Sequence, residues 1–129
     1  MTMNVDFSNK SILITGGAGF IGSNLAFYFQ NNFPTAHIVI FDSFRSEERL
    51  SNGNRKSFGS YNNLIGFKGT FICGDLNNIS DIDLLRKYSF DYIFHQAAIS
   101  DTRVYDQELV FRTNVNSFYY ILDLVKQSG

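Results

Sequence analysis

The run Thr15-Gly16-Gly17-Ala18-Gly19-Phe20-Ile21-Gly22 constrains this chain more than any other segment. It follows the apolar stretch Ser11-Ile12-Leu13-Ile14 and opens a segment with helical spacing. Four glycines in seven positions leave no side chains where a diphosphate must press against the backbone. A helix that starts there turns its free N–H groups and the positive end of its dipole toward that diphosphate. Both Gly17-x-Gly19-x-x-Gly22 and Gly16-x-x-Gly19-x-x-Gly22 fit dinucleotide-binding spacings. Such spacings also arise by chance in glycine-rich loops, so the surroundings decide. They must supply a strand before, a helix after, and an acid about 20 residues further on.

All three are present. Ile21, Leu25 and Phe29 recur four apart, which predicts one apolar helical face. Asn31-Asn32-Phe33-Pro34 ends that helix, because the residue before proline disfavours the helical region. His37-Ile38-Val39-Ile40-Phe41 is rich in β-branched residues, and Asp42 stands at its end, 20 positions after Gly22. A carboxylate there accepts hydrogen bonds from the hydroxyls of an adenosine ribose. The alternative role for Asp42 is to start a turn.

Composition sets limits on the rest. A chain of 129 residues holds one domain or part of one, and 44% hydrophobic with 18% charged residues describes a globular chain with a core. A net charge of −1 offers no electrostatic basis for nucleic-acid or membrane partners. No apolar run approaches the length of a membrane span, and the polar start is no signal peptide. With one cysteine, Cys73, no internal disulfide is available, and a cytoplasmic location is the expectation. Cys73 lies in the apolar run Thr70-Phe71-Ile72-Cys73, which predicts a buried structural thiol.

Strands and helices alternate through the remainder. Residues 43–68 are the least regular part, although Phe58, Tyr61 and Leu64/Ile65 keep a spacing that predicts a short helix. Arg45, Arg49, Arg55 and Lys56 follow Asp42 closely. They read either as a solvated loop or as a source of one cation for a 2′-phosphate, which would favour NADP over NAD. The strand at 70–73 leads into Gly74-Asp75-Leu76, and ligands of doubly wound sheets bind at such carboxyl ends. Asp75 is placed to bond an adenine edge and Leu76 to cover the ring, or Asp75 is simply another loop carboxylate. Ser80 is the expected cap of the next helix, with Asp83 as its partner. A fourth strand, 91–95, ends in Gln96-Ala97-Ala98, small residues that allow close approach of a ligand. A long helix over 107–127 is expected to turn Val110, Phe111, Asn114, Phe118, Ile121, Leu122 and Val125 inward. Asn114 in that stripe must pair with a neighbouring backbone carbonyl or reach the site. The connections allow parallel crossovers, so the fold class is α/β: an incomplete doubly wound parallel sheet of the Rossmann type, strand order 3-2-1-4.

Together, Thr15–Gly22, Asp42, Gly74-Asp75-Leu76, His95-Gln96-Ala97-Ala98 and Thr113-Asn114 resemble the N-terminal part of an extended short-chain dehydrogenase/reductase. That family contains the NAD-dependent nucleotide-sugar epimerases and dehydratases. The segments 94–102 and 107–114, with 58–59 and 63–69, are similar to its heptose 6-epimerase branch. Ser117-Phe118, where many relatives carry Gly-Thr, suits that branch better than the hexose 4-epimerases. The resemblance implies that Gly16, Gly19, Phe20, Ile21 and Gly22 hold a diphosphate and Asp42 the adenosine ribose of NAD or NADP. It implies further that Asp75 and Leu76 line the adenine pocket, that Gln96, Ala97 and Ala98 border the cofactor, and that Asn114 supports the site. It gives His95 a structural position. His37 has no companions of metal-ligand spacing, so no metal site is expected.

The same resemblance implies chemistry by a tyrosine with a lysine four residues later. None of Tyr28, Tyr61, Tyr88, Tyr92, Tyr105, Tyr119 and Tyr120 has that lysine. The expectation is therefore that residues 1–129 are the N-terminal part of the NAD(P)-binding domain, with no catalytic residue and no activity alone. The catalytic segment and substrate domain would lie beyond Gly129. The complete enzyme would be a homo-oligomer that inverts C6 of an ADP-linked heptose for lipopolysaccharide synthesis. The alternatives are another nucleotide-sugar dehydratase or reductase, and a non-catalytic dinucleotide-binding module.

Overall fold

The structure, a computed structural model, describes residues 4–44 and 47–127. Strand β1 (Ser11–Thr15) runs through the glycine turn into helix α1 (Phe20–Asn32), which returns the chain to β2 (His37–Asp42). A 3₁₀ turn (Tyr61–Leu64) precedes β3 (Thr70–Cys73), and α2 (Ile79–Asp83) leads to β4 (Tyr92–His95). The chain then follows α3 (Gln107–Phe111), a π-helical turn (Arg112–Asn116) and α4 (Phe118–Gln127). The four strands are parallel in the order β3-β2-β1-β4, as the crossover lengths predict.

Side chains on a strand alternate between faces, and here the alternation builds two cores. Ile12 and Ile14 of β1 join Ile38, Ile40, Ala26 and Phe29 beneath α1. Leu13, Val39 and Phe41 face the other way and pack with Ile82, Leu85, Ile121 and Leu124. Burial on both faces explains why β1 reads as a continuous apolar run rather than an alternating one. Below the first core, Phe7 meets Phe29, Tyr92 and Phe33 edge-on at 4.8, 4.8 and 5.3 Å. These contacts close the end of the sheet opposite the glycine turn.

Several local expectations change. The buried face of α1 is Gly22, Ser23, Ala26 and Phe29, while Ile21 is exposed. The small residues face the sheet so that the helix axis can approach it, and Ile21 is turned toward the ligand side. Asn78, not Ser80, caps α2, accepting the Ser80 N–H at 3.0 Å. Cys73 is exposed because β3 is an edge strand. The helix predicted around 58–65 shrinks to the 3₁₀ turn, with Leu64 buried and Phe58 and Ile65 exposed.

The long helix after β4 is interrupted. Ser117 N–H bonds to Arg112 O at 3.0 Å, a π-type step. The buried positions are Thr113, Ser117, Ile121 and Leu124. Phe111, Phe118, Leu122 and Val125, expected inside, are exposed. Two stripes compete on this helix. The more apolar one faces outward, and the stripe that packs begins with two small hydroxyl residues. Ser117 bonds back to the Thr113 carbonyl, which lets it sit buried.

Candidate functional site

At the carboxyl end of β1 the backbone turns sharply, and Gly16 takes φ +69°, where L side chains are strained. Its N–H bonds to Phe41 O at 2.8 Å, and a Cβ there would lie 2.8 Å from Ala97 N. Gly22 faces a different limit. A Cβ on it would be driven into the Gly16 carbonyl oxygen and to 2.8 Å from Gly17 Cα. The turn therefore closes onto the first turn of α1 only with glycine at both positions. Gly19 occupies the N-cap and no side chain caps this helix. The N–H groups at its start have no intrahelical partners. They open onto the cavity that Gly19, Phe20, Ile21 and Gly22 help to line.

Asp42 ends β2 on the same side. Its Oδ2 accepts the Ala18 N–H at 3.0 Å and its Oδ1 accepts the Phe44 N–H at 2.7 Å. The Ser57 hydroxyl donates to Oδ1 at 3.4 Å. Burial raises its pKa above the ordinary carboxylate value, and the Phe44 and Ala18 N–H groups oppose that rise. With one donor on Oδ2, that oxygen keeps a second lone pair that can accept a hydroxyl from the cavity.

Beyond β3, Asp75 lies against Lys56. Lys56 Nζ donates to Asp75 Oδ2 and to Glu48 Oε2, both at 2.9 Å. Burial would raise the Asp75 pKa, but the Asn77 N–H and the Lys56 ammonium outweigh it and hold the carboxyl below the ordinary range. Burial likewise works against the Lys56 charge, and the bonds from Glu48 and Asp75 overcome it. Arg55 pairs with Glu47 at 3.6 Å. Arg45, also weighed as a partner of a 2′-phosphate, lies outside the described residues.

The loop after β4 forms the facing wall. The Thr15 hydroxyl lies 2.7 Å from His95 Nδ1 and accepts the Ala97 N–H at 3.3 Å, tying β4 to the turn. Burial lowers the His95 pKa, so the ring is neutral at pH 7. Asn114 clamps this loop: its Oδ1 accepts the Ile99 N–H at 2.7 Å and its Nδ2 donates to Ile99 O at 2.9 Å. Of the two roles open to Asn114, the structure shows the backbone pairing.

Gly16, Gly19, Phe20, Ile21, Gly22, Asp42, Asp75, Leu76, Gln96, Ala97 and Ala98 all line one cavity of about 410 Å³. Asn114 stands behind that wall. On the other side stands Lys56, weighed in the sequence as a cation for a 2′-phosphate, while sequence reasoning missed its neighbours Leu50, Ser57, Phe58 and Gly59, together with Asp101 and Thr113. Residues 50–57 carry no periodicity that could have placed them, whereas Thr113 was within reach as the neighbour of Asn114. Among the described residues no cluster of three or more His, Cys, Asp or Glu is placed to hold a metal ion. Among the same residues no helix is long and apolar enough to cross a membrane.

The sequence profile of the NAD dependent epimerase/dehydratase family matches residues 12–129. The chain belongs to that family. Among solved members it is similar to the ADP-L-glycero-D-manno-heptose-6-epimerase of Helicobacter pylori. The two are 48% identical with a TM-score of 0.85, over 98% of this chain and 38% of that one. The enzyme of the same name from Brachyspira hyodysenteriae is 32% identical over 103 residues, 80% of this chain and 29% of that protein. The dTDP-glucose 4,6-dehydratase of Bacillus anthracis, solved with NAD, is 28% identical with a TM-score of 0.66. That match covers 92% of this chain and 34% of that one. The chain thus spans 29% to 38% of the length of these family members.

Proposed function

We propose that residues 1–129 form the dinucleotide-binding part of a nucleotide-sugar epimerase that inverts C6 of an ADP-linked heptose. The observation that carries the cofactor half of this reading is the paired closure of Gly16 and Gly22 at the uncapped start of α1, with Asp42 across the same cavity. The heptose rests on the 48% identity to the Helicobacter pylori enzyme. The similarity to a dTDP-glucose 4,6-dehydratase at 28% supports the second reading, a related dehydratase with the same cofactor half.

In this reading Gly16, Gly19 and the N–H groups at Phe20, Ile21 and Gly22 hold the diphosphate. Asp42 accepts the ribose hydroxyls, Asp75 and Leu76 border the adenine, and Gln96, Ala97 and Ala98 bound the nicotinamide side. Asn114 holds the Ile99 backbone, and so the wall, in place. Bound NAD or NADP supplies a hydride acceptor and donor for transient oxidation at C6. The neutral, half-buried His95 bonds Thr15 and positions the wall rather than moving a proton. With no Tyr-x-x-x-Lys pair in the sequence, these residues bind the dinucleotide without turnover, and acid–base groups outside them complete the reaction. The complete enzyme is expected in the cytoplasm as a homo-oligomer, feeding lipopolysaccharide synthesis.

Calorimetric titration of the 129-residue chain with NAD and with NADP tests this reading. Binding of either at 1:1 with micromolar affinity is expected, and folded protein giving no heat with either would overturn the cofactor assignment.

A further inference from the structure

The connection from β2 to β3 does not simply loop outside the sheet. It leaves beside Asp42 and returns beside it. Ser60 N–H and the Asn63 Nδ2 group donate to Ala18 O at 3.0 and 2.8 Å, and the position of a Gly59 Cβ is taken up by the Asp42 carboxylate. Between these points residues 48–56 form a small hairpin. Leu50 N–H bonds Asn54 O at 2.8 Å, Lys56 N–H bonds Glu48 O at 3.0 Å, and Gly53 turns the tip with φ +81°. Loops whose ends lie close together and whose bodies pack on themselves are frequently functional.

The hairpin is fastened twice, to the loops that follow β3 and β4. Near its base Lys56 bonds Asp75, which follows β3. At its tip Asn52 Nδ2 and Asn54 Nδ2 each donate to Asp101 Oδ2 at 2.8 Å, in the loop after β4. β3 and β4 are the outer strands of the sheet. The hairpin therefore bridges the loops after β3 and β4 and forms one side of the cavity that the glycine turn opens into. Leu50, Lys56, Ser57 and Phe58 line that cavity from this side. The Asp101 side chain is 9% exposed and also takes the Arg103 N–H at 3.0 Å and Arg103 Nε at 3.1 Å, so the anchor at the tip is a largely covered carboxylate shared by three residues.

We propose that residues 47–59 are a clasp that retains the bound dinucleotide, closed by Lys56–Asp75 in the loop after β3 and by Asn52 and Asn54 on Asp101 in the loop after β4. This rests on the cofactor reading above. A dinucleotide under the hairpin leaves only when one fastening opens, so release follows the population of the open form. Asn52 and Asn54 are positioning residues: neither lines the cavity, and both act through the hairpin.

The test uses NADH, whose nicotinamide fluorescence reports binding, with the unmodified chain and the double variant Asn52→Ala/Asn54→Ala. Release measured by stopped-flow displacement with excess NAD is expected to quicken by roughly a hundredfold, the worth of two lost hydrogen bonds to a charged group at about tenfold each, with association changed less. Asn52→Ala alone, which keeps the Asn54 bond, is expected to lie between. Circular dichroism melting without ligand verifies that each variant is folded. If the double variant fails this check, the single variant carries the test. Tight NADH binding with unchanged release in a folded variant overturns the clasp and leaves the cofactor reading standing. No NADH binding to the unmodified chain removes both.

Discussion

Gly22 shows how a single missing methyl group lets the glycine turn close onto the helix. In a helix, glycine is normally disfavoured against alanine by about 1 kcal/mol, so Gly22→Ala would ordinarily help. Here the added Cβ has only backbone to meet, at the Gly16 carbonyl and at Gly17 Cα. Overpacking against groups that cannot rotate away costs typically about 1–3 kcal/mol, which exceeds the helix gain. Gly22→Ala is therefore expected to lower the melting temperature by several degrees and to weaken NAD binding in the same titration. An unchanged melting temperature would show that the turn and helix can separate. Asp42 makes the complementary point about charge. Its burial works against ionisation, and two backbone N–H groups and a hydroxyl hold it in place. Its role as a carboxylate facing the cavity was legible in the sequence from its distance to Gly22. The bonds that hold it there come from Ala18, Phe44 and Ser57, and no spacing rule announces them.

At the scale of elements, what the sequence made legible follows how strongly one interaction dominated. β1 and β2 are buried runs of β-branched and aliphatic residues, and both fall where expected. The order β3-β2-β1-β4 follows from the crossovers. The helix after β4 was misread because its most apolar stripe, Phe111, Phe118, Leu122 and Val125, faces outward. Hydrophobic periodicity cannot choose between two stripes on one helix. The choice is made by Thr113 and Ser117, small enough to pack closely, and by the Asn114 bonds to Ile99. Asn114→Ala would leave the buried Ile99 N–H and carbonyl without partners, at a cost of about 1–3 kcal/mol. A lowered denaturant midpoint and weaker NAD binding are expected together, because Ile99 adjoins the wall at Gln96–Ala98. A variant that loses stability and binds NAD as before would limit Asn114 to a packing role. The segment at 47–59 was illegible for another reason: its placement depends on side-chain bonds to Asp75 and Asp101, 19 and 47 residues from Lys56 and Asn54.

For the molecule as a whole, the sheet brings the ends of β1, β2, β3 and β4 to one margin, and each contributes a wall of one cavity. The glycine turn, Asp42, Asp75 and the loop at 96–98 are far apart in sequence and meet only there. That convergence, more than the glycine motif alone, is the basis for assigning a dinucleotide to this family member. It is tested most directly by following backbone amide resonances of the 129-residue chain during titration with NAD. Shifts concentrated at Gly16, Gly19, Phe20, Ile21 and Gly22, and at Asp75, Leu76, Ala97 and Ala98, are predicted. Shifts confined to the outward face of α4, or none at saturating NAD, would contradict the assignment.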